Sequence, residues 1–91
     1  MTEVSRKVAL CNRHGLHARP STEFVRQANG FRSIVEVEVR GQKVNGKSVI
    51  EMMTLGAPVG TELLITTRGE DAEAALQALV NLVLARFGEK E

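Results

Sequence analysis

The segment from Asn12 to Ser21, NRHGLHARPS, sets a histidine and an arginine, His17 and Arg19, between a strand-like stretch and a proline-initiated helix. A phosphate suits that junction. Free N–H groups and the positive end of the dipole make a helix start an anion site before any side chain contributes. An imidazole there adds a nitrogen nucleophile, and a guanidinium adds a planar fork for phosphate oxygens. Arg19 opposes the dipole unless an anion is present, so the two side chains point to one ligand chemistry. Gly15 lets the loop turn and approach closely at little steric cost. Taken alone, His17 also reads as a surface polar residue, and Pro20 is structural under either reading.

Cys11, His14 and His17 form a second grouping, spaced three apart, of side chains that can ligate zinc or copper. Along an extended strand and a turn they need not converge, and no fourth ligand is evident. A metal would also occupy the nitrogen that phosphoryl transfer needs. No metal and no cofactor are expected, with Cys11 read as a small strand residue and His14 as a turn residue.

The elements that position these residues alternate between β and α. Ser5 to Cys11 reads as a strand with Val8 and Leu10 on one face and Arg6 as a misfit on that face. A helix follows from Ala18 to Asn29, with Pro20 in its first turn, an apolar stripe of Phe24, Val25 and Ala28, and Asn29-Gly30 at its end. In Ser33 to Arg40 the valines 35, 37 and 39 alternate with Glu36, Glu38 and Arg40, which predicts a strand with one wet face. A Gly41-Gln42 turn leads into a short strand ending near Val44. Ser48 to Glu51 reads as a capping box, with the Glu51 side chain returning to the N–H of Ser48. That helix is short, because Leu55-Gly56 and Pro58 stop it. Gly60 to Thr67 gives the fourth strand, with Leu63 and Ile65 inward. A last helix carries Ala72, Leu76, Leu79, Val83 and Phe87 at helical spacing. The order βαββαβα predicts an α+β, two-layer open-faced sandwich: a four-stranded antiparallel sheet covered on one face by helices.

Ninety-one residues with 43% apolar content suffice for one small domain, 1–91, and no second. Three Phe and no Trp or Tyr give no stacking platform, and a net charge of +1 gives no basic footprint, so nucleic acid is not an expected partner. No apolar run approaches the roughly 20 residues of a membrane helix and no signal-peptide pattern opens the chain, so a cytoplasmic location is expected. The lone Cys11 fits a reducing compartment.

GLHARPS, the KVNGKS run ending at Ser48, the following MMTLGA and the element order together resemble the HPr family, the histidine-containing phosphocarriers of the bacterial phosphoenolpyruvate-dependent phosphotransferase system. The resemblance spans nearly the whole chain. It implies a monomer whose His17 accepts a phosphoryl group on Nδ1 from Enzyme I and passes it to an Enzyme IIA domain, a carrier and not a stand-alone enzyme. Arg19 and the N–H groups of Ala18 and Arg19 would hold the phosphate. It also implies a regulatory serine at Ser48, phosphorylated by HPr kinase/phosphorylase, and partner contacts by Leu16, Val49, Ile50 and Met53, rimmed by Arg19, Arg26 and Lys47. Gly46 departs from the bulkier residue of some kinase-regulated members, and His14 from the small polar residues common at its place. The nitrogen-regulatory branch, a binding module acting through Ser48, and a metal-binding protein using Cys11, His14 and His17 are the alternatives.

Overall fold

The computed structural model describes residues 1–91. Its elements are β1 (Glu3–Ala9), α1 (Ala18–Ala28), β2 (Ile34–Val39), β3 (Gln42–Asn45), α2 (Val49–Thr54), β4 (Glu62–Arg68), α3 (Ala72–Leu84) and a 3₁₀ turn, Arg86–Gly88. The sheet order is β1-β4-β2-β3, and every neighbouring pair is antiparallel. β4 lies between β1 and β2, so the connection through α1 crosses over it. The expected open-faced α+β sandwich is the fold observed.

Alternation dictates which face the helices cover. Val35, Val37 and Val39 are buried, as are Leu63, Ile65 and Thr67, with Val37 opposite Ile65 in the register. Glu36, Glu38, Leu64, Thr66 and Arg68 face the wet side and stay partly exposed. Phe24, Val25 and Ala28 of α1 and Leu79, Val80 and Val83 of α3 close the core from the other side. Burying one such large side chain contributes about 1.5 to 3 kcal/mol. Arg6 sits opposite Ile65 and is exposed: β1 is an edge strand, and a long basic side chain there can lead its charge out to water.

Several boundaries differ from the expectation for identifiable reasons. β1 opens at Glu3 and closes at Ala9, so Cys11 lies beyond the strand, where its Sγ donates to the Val83 carbonyl at 3.3 Å. The hairpin turn is Arg40-Gly41, one residue earlier than Gly41-Gln42, since Val39 pairs with Gln42. Both turn residues have positive φ, 51° and 84°, the geometry whose twist matches flanking strands. Phe87 is buried but does not lie on α3, which stops at Leu84. Arg86, Phe87 and Gly88 all have positive φ, so a left-handed turn delivers the ring to the core. Each non-glycine residue there costs roughly 1 to 2 kcal/mol, which burial of the Phe87 ring helps to offset. The turn also redirects the last residues of the chain toward the start of α1.

Asp71 fixes the other end of the helical layer. Its carboxylate accepts from the N–H groups of Arg32 and Ser33, both at 2.9 Å, and from the Ser33 hydroxyl. These bonds, the Ser33 hydroxyl first, hold its pKa below the ordinary carboxylate value of 3.8.

Candidate functional site

His17 is the N-cap of α1, with extended backbone (φ −81°, ψ −171°) and no capping bond from its side chain. The first turn closes through the Ser21 N–H to the His17 carbonyl at 3.1 Å. The N–H groups of Ala18 and Arg19 therefore have no acceptor within the helix, and Pro20 has no N–H to satisfy. His17, Ala18 and Arg19 are exposed, whereas Pro20 and Ser21 are buried. The helix start is anchored below and open above.

The loop that delivers His17 is held by backbone contacts. Leu16 N–H donates to the Ala57 carbonyl at 2.9 Å, and Gly15 N–H to the Asn12 carbonyl at 3.2 Å. At Gly15, φ is +65° and a Cβ would lie 2.2 Å from the Ala57 oxygen, so only glycine fits. Asn12, fully buried, donates through Nδ2 to the Gly15 carbonyl at 2.8 Å and to Glu89 Oε1 at 3.0 Å. Both partners only accept, which fixes the orientation of the amide.

The redirected tail completes the site. His17 Nε2 lies 3.1 Å from Glu89 Oε2, with the His17 side chain 40% exposed and that of Glu89 only 14%. The Arg13 N–H donates to the Glu91 carbonyl at 2.7 Å, and the Arg13 guanidinium pairs with the Glu91 carboxylate at 2.8 Å. The His14 ring meets the His17 ring edge to face, centroids 5.9 Å apart. His14, Arg19 and Gly88 to Glu91 line an open cavity of about 530 Å³. Glu89 and Glu91 were not legible as site residues. The sequence signal, a charged EKE tail after Gly88, does not say where the tail goes.

Ser48 is the N-cap of α2. Its Oγ accepts from the Glu51 N–H at 3.2 Å, the first half of the expected capping box. The second half is replaced. The Glu51 carboxylate accepts from the Asn45 N–H at 3.0 Å, while the Ser48 N–H donates to the Asn45 carbonyl at 3.1 Å. A backbone turn already serves that N–H, so the carboxylate reaches the next free donor.

Of the residues expected to meet a partner, Ile50 is 78% exposed and Met53 45%, and Val49 is half-buried against the core. Leu16 corrects the expectation: at 4% exposure it belongs to the core, because seating its N–H on Ala57 accompanies burial of the side chain. Among the rim cations, Lys47 Nζ donates to the Phe31 carbonyl at 2.8 Å, and Arg26 pairs with Glu23 at 3.1 Å. A Cβ on buried Gly46 would lie 2.5 Å from Val35 Cγ1, so this backbone excludes a bulkier residue there. Cys11, His14 and His17 are not gathered as ligands, and no group of three or more His, Cys, Asp or Glu side chains is placed to hold a metal ion.

An open-faced sandwich with an uncapped, histidine-bearing helix start and an exposed apolar face is an arrangement that suits a small phosphocarrier protein. Residues 4–85 match the family described as the PTS HPr component phosphorylation site. The chain belongs to the HPr family. It is 39% identical over 88 residues to the phosphocarrier protein HPr of Neisseria meningitidis, covering 97% of this chain and 99% of that one. It is 42% identical over 80 residues to the HPr-like protein Crh of Bacillus subtilis, covering 88% and 94%. The crystal structure of HPr-C-His from Thermoanaerobacter tengcongensis superposes with a TM-score of 0.90 at 41% identity, over 100% of both chains. HPr is a phosphocarrier protein and not a stand-alone enzyme. No helix is long and apolar enough to cross a membrane.

Proposed function

We propose that this protein is a cytoplasmic phosphocarrier in sugar uptake, accepting a phosphoryl group from phospho-Enzyme I on His17 and passing it to an Enzyme IIA domain. One observation carries the reading: within the stretch matched to the family's phosphorylation site, His17 stands at a helix start whose N–H groups are unspent. Phosphoryl transfer has a loose transition state, so the protein has to place a nucleophile in line and stabilise charge on the transferred oxygens. A lone pair on Nδ1 forms the new N–P bond. The bond from phosphorus to the donor atom breaks, leaving its electron pair on Enzyme I. The N–H groups of Ala18 and Arg19 and the Arg19 guanidinium face negative charge as it arrives. His17 is exposed, so the phosphoryl group stays within reach of the next acceptor.

Val49, Ile50 and Met53 form the docking face for Enzyme I and the Enzyme IIA domain, and nearby Arg19 and Arg26 raise the encounter rate with acidic surfaces. A second reading rests on the family resemblance of the KVNGKS run and on the place of Ser48 as the N-cap of α2: Ser48 is a regulatory acceptor for HPr kinase/phosphorylase. A phosphate on this N-cap suits the helix dipole and adds negative charge beside the docking face.

With Enzyme I, magnesium and labelled phosphoenolpyruvate, the protein should gain an acid-labile, alkali-stable label that His17→Ala lacks. Undiminished labelling of that variant would overturn the carrier reading. With ATP and the kinase, a label lost in Ser48→Ala supports regulation; an unlabelled wild type leaves Ser48 as a cap alone.

A further inference from the structure

β3 stops short of β2, and the step between them leaves a trough at the edge of the sheet. Asn45, the last residue of β3, stands opposite Glu36, while β2 reaches back to Ile34. The Gly46 N–H closes on the Val35 carbonyl at 2.8 Å, and the chain then turns away into α2. What remains is a cavity of about 460 Å³ between residues 32–36 and 43–47. The length of α1, about 16 Å at a rise of ~1.5 Å per residue, separates it from His17. No residue of this trough lines the cavity beside His17.

Free positive charge gathers here. Lys7, Arg13, Arg26 and Arg68 each pair with a carboxylate, whereas Arg32 and Lys43 have no such partner. Lys43 stands opposite Glu38 in the register and still makes no ion pair with it. Lys47 adds a third cation in a fixed place, since its Nζ donates to the Phe31 carbonyl at 2.8 Å. Two carboxylates share the lining. That of Glu51 is engaged by the Asn45 N–H at 3.0 Å, and that of Glu36 has no ion-pair partner. Ile34, 52% exposed, gives the trough an apolar wall.

We propose that this trough binds a small organic phosphate that carries hydroxyl groups. The phosphate seats between Arg32 and Lys43, whose donors meet it with no carboxylate bond to break. Glu36 decides the rest of the ligand. Its carboxylate only accepts and repels further negative charge, so an acidic peptide or a polyphosphate fits poorly, while a hydroxyl group can donate to it. The Asn45 side chain takes the Lys47 N–H on Oδ1 and keeps its Nδ2 donors for a hydroxyl oxygen. The carbon skeleton lies on Ile34. A cavity of this size suits such a ligand, because small-molecule sites span roughly 300 to 1,000 Å³.

Amide NMR of the unphosphorylated protein locates the ligand without a phosphoryl donor or a partner protein. Glycerol 3-phosphate should shift residues 32–36 and 43–47 saturably, and glycerol should not. Inorganic phosphate should bind there about fivefold more weakly, the loss of roughly one modest polar contact. Arg32→Gln and Lys43→Gln should each weaken glycerol 3-phosphate about fivefold, whereas Lys7→Gln, on the opposite edge strand, should leave it unchanged. Glu36→Ala should bring the affinities of the two phosphates together. All four side chains are exposed or half-buried, and the same spectra check that each variant is folded. Shifts confined to Ala18 and Arg19 would place the anion at the helix start alone and overturn the proposal. So would equal affinities of the wild type for glycerol 3-phosphate and inorganic phosphate, or binding that Arg32→Gln and Lys43→Gln leave intact.

Discussion

All three α-helices start at a polar N-cap residue, and the first two use it in opposite ways. At α2 the Ser48 hydroxyl accepts from the Glu51 N–H, so the helix is capped by its own sequence. At α1 the His17 ring caps nothing and turns instead to Glu89, leaving the N–H groups of Ala18 and Arg19 unspent. One end spends its donors on stability; the other leaves them free, as the proposed phosphate site requires. That difference separates a structural N-cap from a binding N-terminus, and residue type alone does not reveal it.

The contrast can be broken first at the chemistry itself. His17→Ala should abolish labelling from phosphoenolpyruvate and leave α1 helical by circular dichroism, because the ring bonds no N–H of that helix. Ser48→Ala should keep the label. A Ser48→Ala variant that loses it would erase the distinction.

The next largest effect falls on the loop that holds the binding end. Gly15→Ala places a methyl group 2.2 Å from the Ala57 oxygen at φ +65° and should cost roughly 2 to 4 kcal/mol in denaturant unfolding. Phosphoryl acceptance should fall with it, since His17 is two residues away. Wild-type stability in this variant would show that the loop need not sit on Ala57.

A smaller effect belongs to the self-capped end. Ser48→Ala should destabilise by about 1 kcal/mol, whereas Ser48→Gly should cost only a few tenths. Equal stabilities of wild type and Ser48→Ala would mean that the Glu51 N–H is served as well by water.

The start of α3 provides the mildest test, because Asp71 caps the loop before β2 and not its own helix. Its folded pKa lies below the unfolded one, so its contribution is complete above the unfolded value and is lost as pH falls through the folded value. Asp71→Asn should flatten stability against pH in the acid range below about 4, where an aspartate titrates. An acid limb as steep as that of wild type would assign the loss to other carboxylates.

Local order was legible wherever one segment settles its own structure. The alternation of Val35 to Arg40, the stripe of Phe24, Val25 and Ala28, the Ser48 cap and the close approach at Gly15 all stood in the sequence and stand in the structure. The hairpin turn slipped by one residue because Arg40 adopts the left-handed conformation usually left to glycine or asparagine. Phe87 kept its burial and lost its helix, since apolar spacing reports which residues turn inward and not the backbone that carries them. Leu16 and Ile50 divide the same way: both are apolar, one is buried and the other 78% exposed, and the Leu16–Ala57 bond that seats the loop lies between residues far apart in the chain.

By itself the sequence determined the element order, the family and the pairing of His17 with a helix start, because periodicity, caps and motifs act over a few residues. Tertiary structure alone decided the strand order β1-β4-β2-β3 and the path of the tail. Glu89 reaches a ring 72 positions earlier only because three residues of positive φ turn the chain back. No local rule encodes such a contact. It depends on where the sheet and helices have already placed both ends of the chain.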